Sequence, residues 1–224
     1  MSVWLVTGCD KGIGRAIALN LQERGDQVIA LCLGEANDLR EKGLHVEPNI
    51  DVTDEASVKA MAKRLKDAGT KIDVLFNNAG VLGVDRLGEI DYDDMRRQFE
   101  INTLGPLRVT EALLGCLSDD AKVGIVTSRV GSLKDNSSGG MYAYRVSKCA
   151  ANMVGVNLFH DLKKRGQTVV LLHPGMVRTD LTEGFGGDFI EPEEAAAGLI
   201  KQVDNAQLGE VPEFRHSNGE LLPW

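Results

Sequence analysis

The chain has 224 residues, 43% of them hydrophobic and only 5% aromatic, enough for one large domain with an aliphatic core. A net charge of −8 argues against a nucleic-acid or anionic-membrane partner. No stretch approaches the ~20 apolar residues of a membrane span, and MSVWLVTG lacks a signal-peptide pattern, so the expectation is a cytoplasmic protein bound to neither membrane nor nucleic acid.

In chain order, Val3–Thr7 is an apolar run that ends at Gly8 and predicts a first strand. Ile13, Ile17 and Leu21, with Ala16 between, recur at helical spacing. Residues 27–32 predict a second strand and 44–47 a weaker third. Val58, Met61 and Leu65 mark one face of the next helix, and Ile72–Asn77 a fourth strand. Residues 91–117 read as long and mostly helical, interrupted by Gly105-Pro106. A fifth strand at 122–127 leads to the polar loop GSLKDNSSGG at 131–140. A helix over 142–165, the strand Thr168–His173, a helix over 192–202 and a short strand at 213–215 complete the pattern. Repeated strand–helix alternation with continuous apolar strands implies one α/β domain, a doubly wound parallel sheet of about seven strands with helices on both faces.

Cys9, Cys32, Cys116 and Cys149 are far apart and form no C-x-x-C, which suits free thiols. His45, His160, His173 and His216 are scattered, and neither a zinc site nor a Ser–His–Asp order is evident.

The first strand runs into TGCDKGIG, Thr7 to Gly14. Gly8, Gly12 and Gly14 permit a tight turn and bare backbone N–H groups at the start of the first helix, where a dinucleotide pyrophosphate would sit; Asp10, Lys11 and Ile13 share that turn. Tyr144 and Lys148, in YRVSK, lie one helical turn apart on one face. A free tyrosine has a pKa near ~10, and a cation one turn away would lower it. Asn102 precedes Pro106 by four residues, so in a helix its carbonyl would lose its backbone donor and become open to a water. A structural kink with no further role is the alternative.

The T-G-x-x-x-G-x-G turn, Asn77-Asn78-Ala79-Gly80 closing the fourth strand, Asp51-Val52, Asn102, Ser128, Tyr144-x-x-x-Lys148 and Pro174-Gly175 with Val177 and Thr179 stand in the order of one family. Together they resemble the short-chain dehydrogenase/reductase family over essentially the whole chain. SRVGSLKDNSSGGMYAYRVSK and the terminal LLPW are most similar to its small C-factor-like branch. The resemblance implies a Rossmann fold and hydride transfer between a nicotinamide cofactor and a carbonyl or alcohol. It implies that Tyr144 moves the proton, Ser128 bonds the reacting oxygen, Lys148 holds the ribose and lowers the tyrosine pKa, and the Asn102 carbonyl serves a proton relay.

For cofactor binding the resemblance implies Gly8, Asp10, Lys11, Gly12, Ile13 and Gly14 at the turn, and Leu33, Asp51 and Val52 toward the adenosine. It further implies Asn78, Ala79, Gly80, Tyr144 and Lys148 at the nicotinamide ribose, and Pro174, Gly175, Val177 and Thr179 at the carboxamide. A helix cap before Asp180 is the alternative for Thr179. Ser132 is a second serine candidate, but Ser128 sits at the strand end and is followed by Arg129-Val130-Gly131, as in the family's serine-x-x-glycine. Where NAD-dependent members carry an Asp the chain has Cys32, and where NADP-dependent members often carry an Arg it has Leu33; Lys11 matches another basic position of NADP-dependent members, opposed by Glu35 and Asp10, so NADP is favoured with NAD possible. Gly184, Gly186 and Gly187 suggest an open, mobile substrate entrance. A homodimer or homotetramer acting on a small-molecule carbonyl or alcohol is expected. A dinucleotide-binding signalling or regulatory protein with little turnover is the rival reading.

Overall fold

The structure is a computed structural model describing residues 1–224. Its seven strands are Val3–Thr7 (β1), Gln27–Leu31 (β2), His45–Glu47 (β3), Ile72–Asn77 (β4), Leu117–Val126 (β5), Thr168–His173 (β6) and Glu213–His216 (β7). Its α-helices are Gly12–Glu23 (α1), Asn37–Glu41 (α2), Glu55–Asp67 (α3), Tyr92–Phe99 (α4), Gly105–Leu113 (α5), Tyr142–Lys163 (α6) and Pro192–Asn205 (α7). All strands pair in parallel in one sheet, in the order β3-β2-β1-β4-β5-β6-β7. The order reverses between β1 and β4, and in such sheets a crevice opens there beyond the carboxyl ends of the strands.

Alternate residues of each strand feed two cores, one on each face of the sheet. Trp4, Val6, Val74 and Phe76 pack with Ile17 and Leu21 of α1 and with Leu199 and Val203 of α7. Leu5, Leu75, Val123 and Ile125 pack on the other face. Their partners are Met61 and Leu65 of α3, Val109 of α5 and Phe159 of α6. The two-sided burial explains why the strands read as unbroken apolar runs.

Three stretches differ from the sequence expectation. The five-residue helix α2 follows β2; Leu39 is its one buried side chain, too little for a periodic signal. Strand β5 begins at Leu117 rather than near Lys122, because Leu117 pairs with Ile72 before the register shifts. Ser118, Asp119 and Asp120 in the shifted stretch are strand-poor residue types and hid it. The long helix is not cut at Gly105-Pro106. Instead α4 continues through a π-helical turn, Glu100–Leu104, into α5. In α geometry the Pro106 ring would clash with the Asn102 carbonyl, and the wider turn relieves that contact. Gly105 is needed there for space: a Cβ would stand 2.9 Å from Cγ2 of Val52.

All four cysteines are free thiols, and no helix is long and apolar enough to cross a membrane.

Candidate active site

The carboxyl ends of β1, β4, β5 and β6 surround the crevice, and each brings part of the candidate site. After β1 the chain turns at Gly8 (φ +71°) and Gly12 (φ +56°), in the left-handed region that favours glycine. A Cβ on Gly14 would run into the Gly8 carbonyl and the Asn78 side-chain nitrogen. Lys11, at the N-cap of α1, makes no capping bond with its side chain, so the first amides of α1 are left for another acceptor. Ile13 is half-buried among them.

Thr7 joins this turn to β4. Its hydroxyl accepts from the Asn78 amide at 3.0 Å and the Ala79 amide at 2.9 Å, while Asn78 Nδ2 donates to the Thr7 carbonyl at 3.1 Å. Gly80 follows, and a Cβ there would stand 3.1 Å from Asn102 Oδ1 and 3.5 Å from Lys148 Nζ. One small residue thus lies between two of the candidate catalytic side chains.

Helix α6 carries Tyr144 and Lys148 and is clamped on several sides. Asn102 donates to Ser147 Oγ at 3.0 Å and brackets the Val81 backbone with two 2.9 Å bonds. The Thr103 hydroxyl donates to the Ser147 carbonyl at 2.8 Å, and the Thr127 hydroxyl to the Lys148 carbonyl at 3.2 Å. Gly131 presses the turn after Ser128 against α6: a Cβ would stand 2.8 Å from the Lys148 carbonyl carbon. The helix starts after Met141 (φ +48°) and is capped from far away, Asp85 accepting from the amides of Tyr142 and Ala143.

Ser128 and Ser132 play different parts. Both are buried. The Ser128 hydroxyl faces the Tyr144 phenol and works to lower its pKa. Ser132 instead accepts from the Asp135 amide at 3.1 Å and closes a turn of the polar loop.

The electrostatics differ from the expectation that Lys148 draws the tyrosine pKa down. Burial pushes the phenol up to about 12 despite Ser128. Burial also pushes the Lys148 amine down to about 8. The lysine makes its hydrogen bond elsewhere: Nζ donates to the Val126 carbonyl at 3.0 Å and lies over the Tyr144 ring, 5.8 Å from its centroid. The i, i+4 spacing does put both groups on one face; desolvation, which spacing cannot report, sets their protonation.

At the residues expected toward the adenosine, Cys32 follows β2 and is buried, with Leu33 exposed beyond it. Asp10 does not stand free to oppose a phosphate, because its carboxylate accepts from the Leu33 amide at 2.9 Å and the Gly34 amide at 2.8 Å. Lys11 is paired at 2.6 Å with Asp180, 169 residues on, across the mouth of the crevice. That pair holds the Asp180 carboxyl below its ordinary range and the Lys11 amine above it. Asp51 closes a local turn through Thr53, whereas Val52 is buried and its carbonyl accepts from Arg108 at 2.6 Å.

After β6, Pro174 and Gly175 (φ +93°) lead to Val177, which is buried and bridges to Ile190. Thr179 starts a short 3-10 turn, Asp180–Thr182, with its methyl 3.3 Å from where a Cβ on Gly12 would be. The segment expected to be an open entrance is therefore pinned at its base and lines a cavity of about 380 Å³.

Sequence reasoning missed Asp85, Thr103, Thr127, Ser147 and the Asp180 pair, and it named Thr7 and Gly131 only as parts of motifs. Thr7, beside the glycine turn, carried the nearest thing to a signal; the others act across the fold.

The glycine turn, the uncapped helix start, buried Ser128 and Lys148 and half-buried Tyr144 form a constellation suited to a dinucleotide-dependent oxidoreductase. The family profile described as short chain dehydrogenase matches residues 2–188. The chain is 57% identical, over the full length of both, to 1-hydroxy-2-glutathionyl-2-methyl-3-butene dehydrogenase of Rhodococcus sp. strain AD45. It is 45% identical to the C-signal protein of Myxococcus xanthus over 156 residues, 68% of this chain and 93% of that one. Among solved structures, the NADPH-bound carbonyl reductase from chicken fatty liver superposes with a TM-score of 0.90 at 28% identity, covering 100% of this chain and 99% of that one. A carbonyl reductase of Pseudomonas aeruginosa PAO1 in complex with NADP gives 0.83 at 30% identity, with both chains fully covered. The chain belongs to the short-chain dehydrogenase family and is an oxidoreductase.

Proposed function

We propose that this oxidoreductase is an NADP-dependent dehydrogenase that interconverts an alcohol and its carbonyl, with a glutathionyl thioether alcohol as substrate. The observation that carries the reading is the convergence of Ser128, Tyr144 and Lys148 beside Gly80, at the corner that Thr7 joins to the glycine turn. The substrate class is carried over from the Rhodococcus relative, whose name places the hydroxyl on C1 and the glutathionyl group on C2.

The residues present fit a dinucleotide. A side chain at Gly14 would fill the cradle, and the open amides of α1 suit a pyrophosphate. Lys11 would reach a 2′-phosphate by giving up Asp180, with Asp10, Leu33, Asp51 and Val52 toward the adenosine. Asn78, Ala79 and Gly80 would line the nicotinamide ribose, and Pro174, Gly175, Val177 and Thr179 the carboxamide. NADP, when bound, supplies or accepts the hydride.

The chain handles the proton and the developing charge. Tyr144 gives its proton to the substrate oxygen in reduction and takes it in oxidation. Ser128 donates a hydrogen bond to the same oxygen and stabilises its charge. Lys148 provides the positive charge beside the phenol and holds the ribose. The Asn102 carbonyl, whose α-helical donor is missing at Pro106, would bind the water of a proton relay.

The protein acts in the cytoplasm as a homodimer or homotetramer. Exposed apolar side chains on α4, α5 and α6 (Phe99, Leu107, Val146, Met153) supply a surface for self-association, testable by sedimentation.

The deciding experiment follows nicotinamide absorbance with NADP and NAD against thioether alcohols and a carbonyl panel. Tyr144→Phe keeps the ring packing and is expected to abolish turnover while cofactor affinity stays near that of the wild type. A variant retaining most of its activity would remove Tyr144 from the proton step.

A further inference from the structure

The cavity after Thr179 has a chemical character that the reacting group alone does not require. It is lined by Arg178, Thr179, Asp180, Thr182, Glu183 and Phe189, together with Gly184 and Phe185. Its size, about 380 Å³, is that of a pocket for a small ligand group. It adjoins the glycine turn, since the Thr179 methyl lies 3.3 Å from where a Cβ on Gly12 would be.

Arg178 is preorganised. Its amide donates to the Ile190 carbonyl at 3.0 Å, and the Ile190 amide donates to the Met176 carbonyl at 2.9 Å, which fixes the backbone. Its Nε donates to Glu191 at 2.9 Å, and its guanidinium carbon lies 5.4 Å from the Phe189 ring centroid. That arrangement spends one edge of the guanidinium and holds its plane, leaving the terminal nitrogens for a carboxylate. Glu183 brings an exposed carboxylate to the same cavity. Asp180 is paired with Lys11 in this structure, and where NADP draws Lys11 away it adds a second carboxylate to the lining.

A simple anion fits this lining poorly. Glu183 and Asp180 line it, Glu191 already holds one edge of Arg178, and the chain as a whole carries −8. A zwitterion fits both signs: a carboxylate on Arg178 and an ammonium near Glu183, with Phe185 and Phe189 covering the methylenes between. Glutathione ends in such a group, the α-amino acid head of its γ-glutamyl residue. We propose that this cavity is the subsite for that α-amino acid head, with Arg178 on the carboxylate and Glu183 on the ammonium. The inference rests on the glutathionyl-substrate reading and deepens it, assigning to two side chains the recognition of the conjugate's remote end.

The test separates binding from turnover. S-methylglutathione, which has no alcohol to oxidise, is titrated calorimetrically into the protein with and without saturating NADP. The wild type is expected to bind it, and N-acetylation of the ligand to weaken binding about tenfold or more, as for a lost charge-assisted contact. Arg178→Gln is expected to weaken it by a similar factor and Arg178→Lys by less. Glu183→Gln is expected to weaken S-methylglutathione but not its N-acetyl derivative. No saturable binding to the wild type, or affinities equal across these variants, would overturn the subsite. In parallel, wild-type turnover of S-(2-hydroxyethyl)glutathione is compared with that of 2-(methylthio)ethanol. Intact, Arg178-dependent binding with no turnover of either alcohol would refute the dehydrogenase reading and leave the subsite standing. Turnover of both with an affinity indifferent to Arg178 would do the reverse.

Discussion

Replacing Lys148 with methionine should make the protein more stable while it disables the site. Lys148 is 4% exposed, and burial pushes its amine from 10.5 down to about 8. One pKa unit corresponds to about 1.4 kcal/mol, so holding the ammonium in place at neutral pH costs about 3 kcal/mol. Methionine fills a similar volume without charge. It also removes the donor from the Val126 carbonyl, a loss of about 1 kcal/mol. A net gain of about 2 kcal/mol is expected near pH 7, seen as a higher urea midpoint at unchanged m-value. The sign fixes the pH window. A depressed folded pKa means that the unfolded chain binds the extra proton between pH 8 and 10.5, so wild-type stability relative to the variant improves as pH rises through that interval. The gain in Lys148→Met should therefore be full below about pH 8 and fade above it. Other titrating groups are common to both proteins and cancel in the difference. A variant less stable than the wild type at neutral pH, or a gap that ignores pH, would refute the claim that desolvation governs this lysine.

Asp85→Ala removes the acceptor for two amides at the start of α6; a loss of about 1–2 kcal/mol in urea unfolding is expected, together with lower turnover because Tyr144 lies in that first turn. Unchanged stability would mean that α6 is set by its other clamps. Ser128→Ala should cut kcat by about 10²–10³, the range for one donor lost from a reacting oxygen, while Ser132→Ala should act mainly on loop stability. The reverse ranking in steady-state kinetics would exchange their roles. Lys11→Ala should raise the Kd of NADPH more than that of NADH by fluorescence titration, because only the former has a 2′-phosphate for the ammonium. Equal effects would show that Lys11 serves only its pair with Asp180.

What could be read from the sequence divides along physical lines. The glycine turn, the Asn78–Gly80 corner and the Tyr144–Lys148 face were legible because each is a local consequence of φ freedom, strand ends or helical spacing. The grip of Asp85 on α6 was not. Capping signals are sought within a few residues of a helix, and this one arrives from 57 residues upstream. The Lys11–Asp180 pair is hidden for the same reason. Pro106 is an intermediate case: its missing N–H was plain from the residue type, but whether the chain would break or widen depended on packing around Gly105 and Val52. Serine placement was legible from the residues after Ser128, whereas the turn-closing bond of Ser132 needed the loop's path.

The opposed pKa changes at Tyr144 and Lys148 also bear on direction. A phenol near 12 beside an amine near 8 leaves the pair at neutral pH as a protonated tyrosine and a mostly protonated lysine. That state is ready to donate a proton, as reduction of a carbonyl requires. Oxidation of an alcohol needs the phenolate, and each pKa unit to be recovered corresponds to about 1.4 kcal/mol. Two groups are placed to supply it. The Ser128 hydroxyl already acts in that sense. The larger reserve is the Lys148 ammonium, which spends its charge on the Val126 carbonyl, 5.8 Å from the ring centroid. Moving it from that carbonyl toward the phenol would favour phenolate without introducing a new charge into the site. On the proposed mechanism, the lysine's choice between these two partners would set how readily the phenolate forms, with the carbonyl at the end of β5 as the competing acceptor.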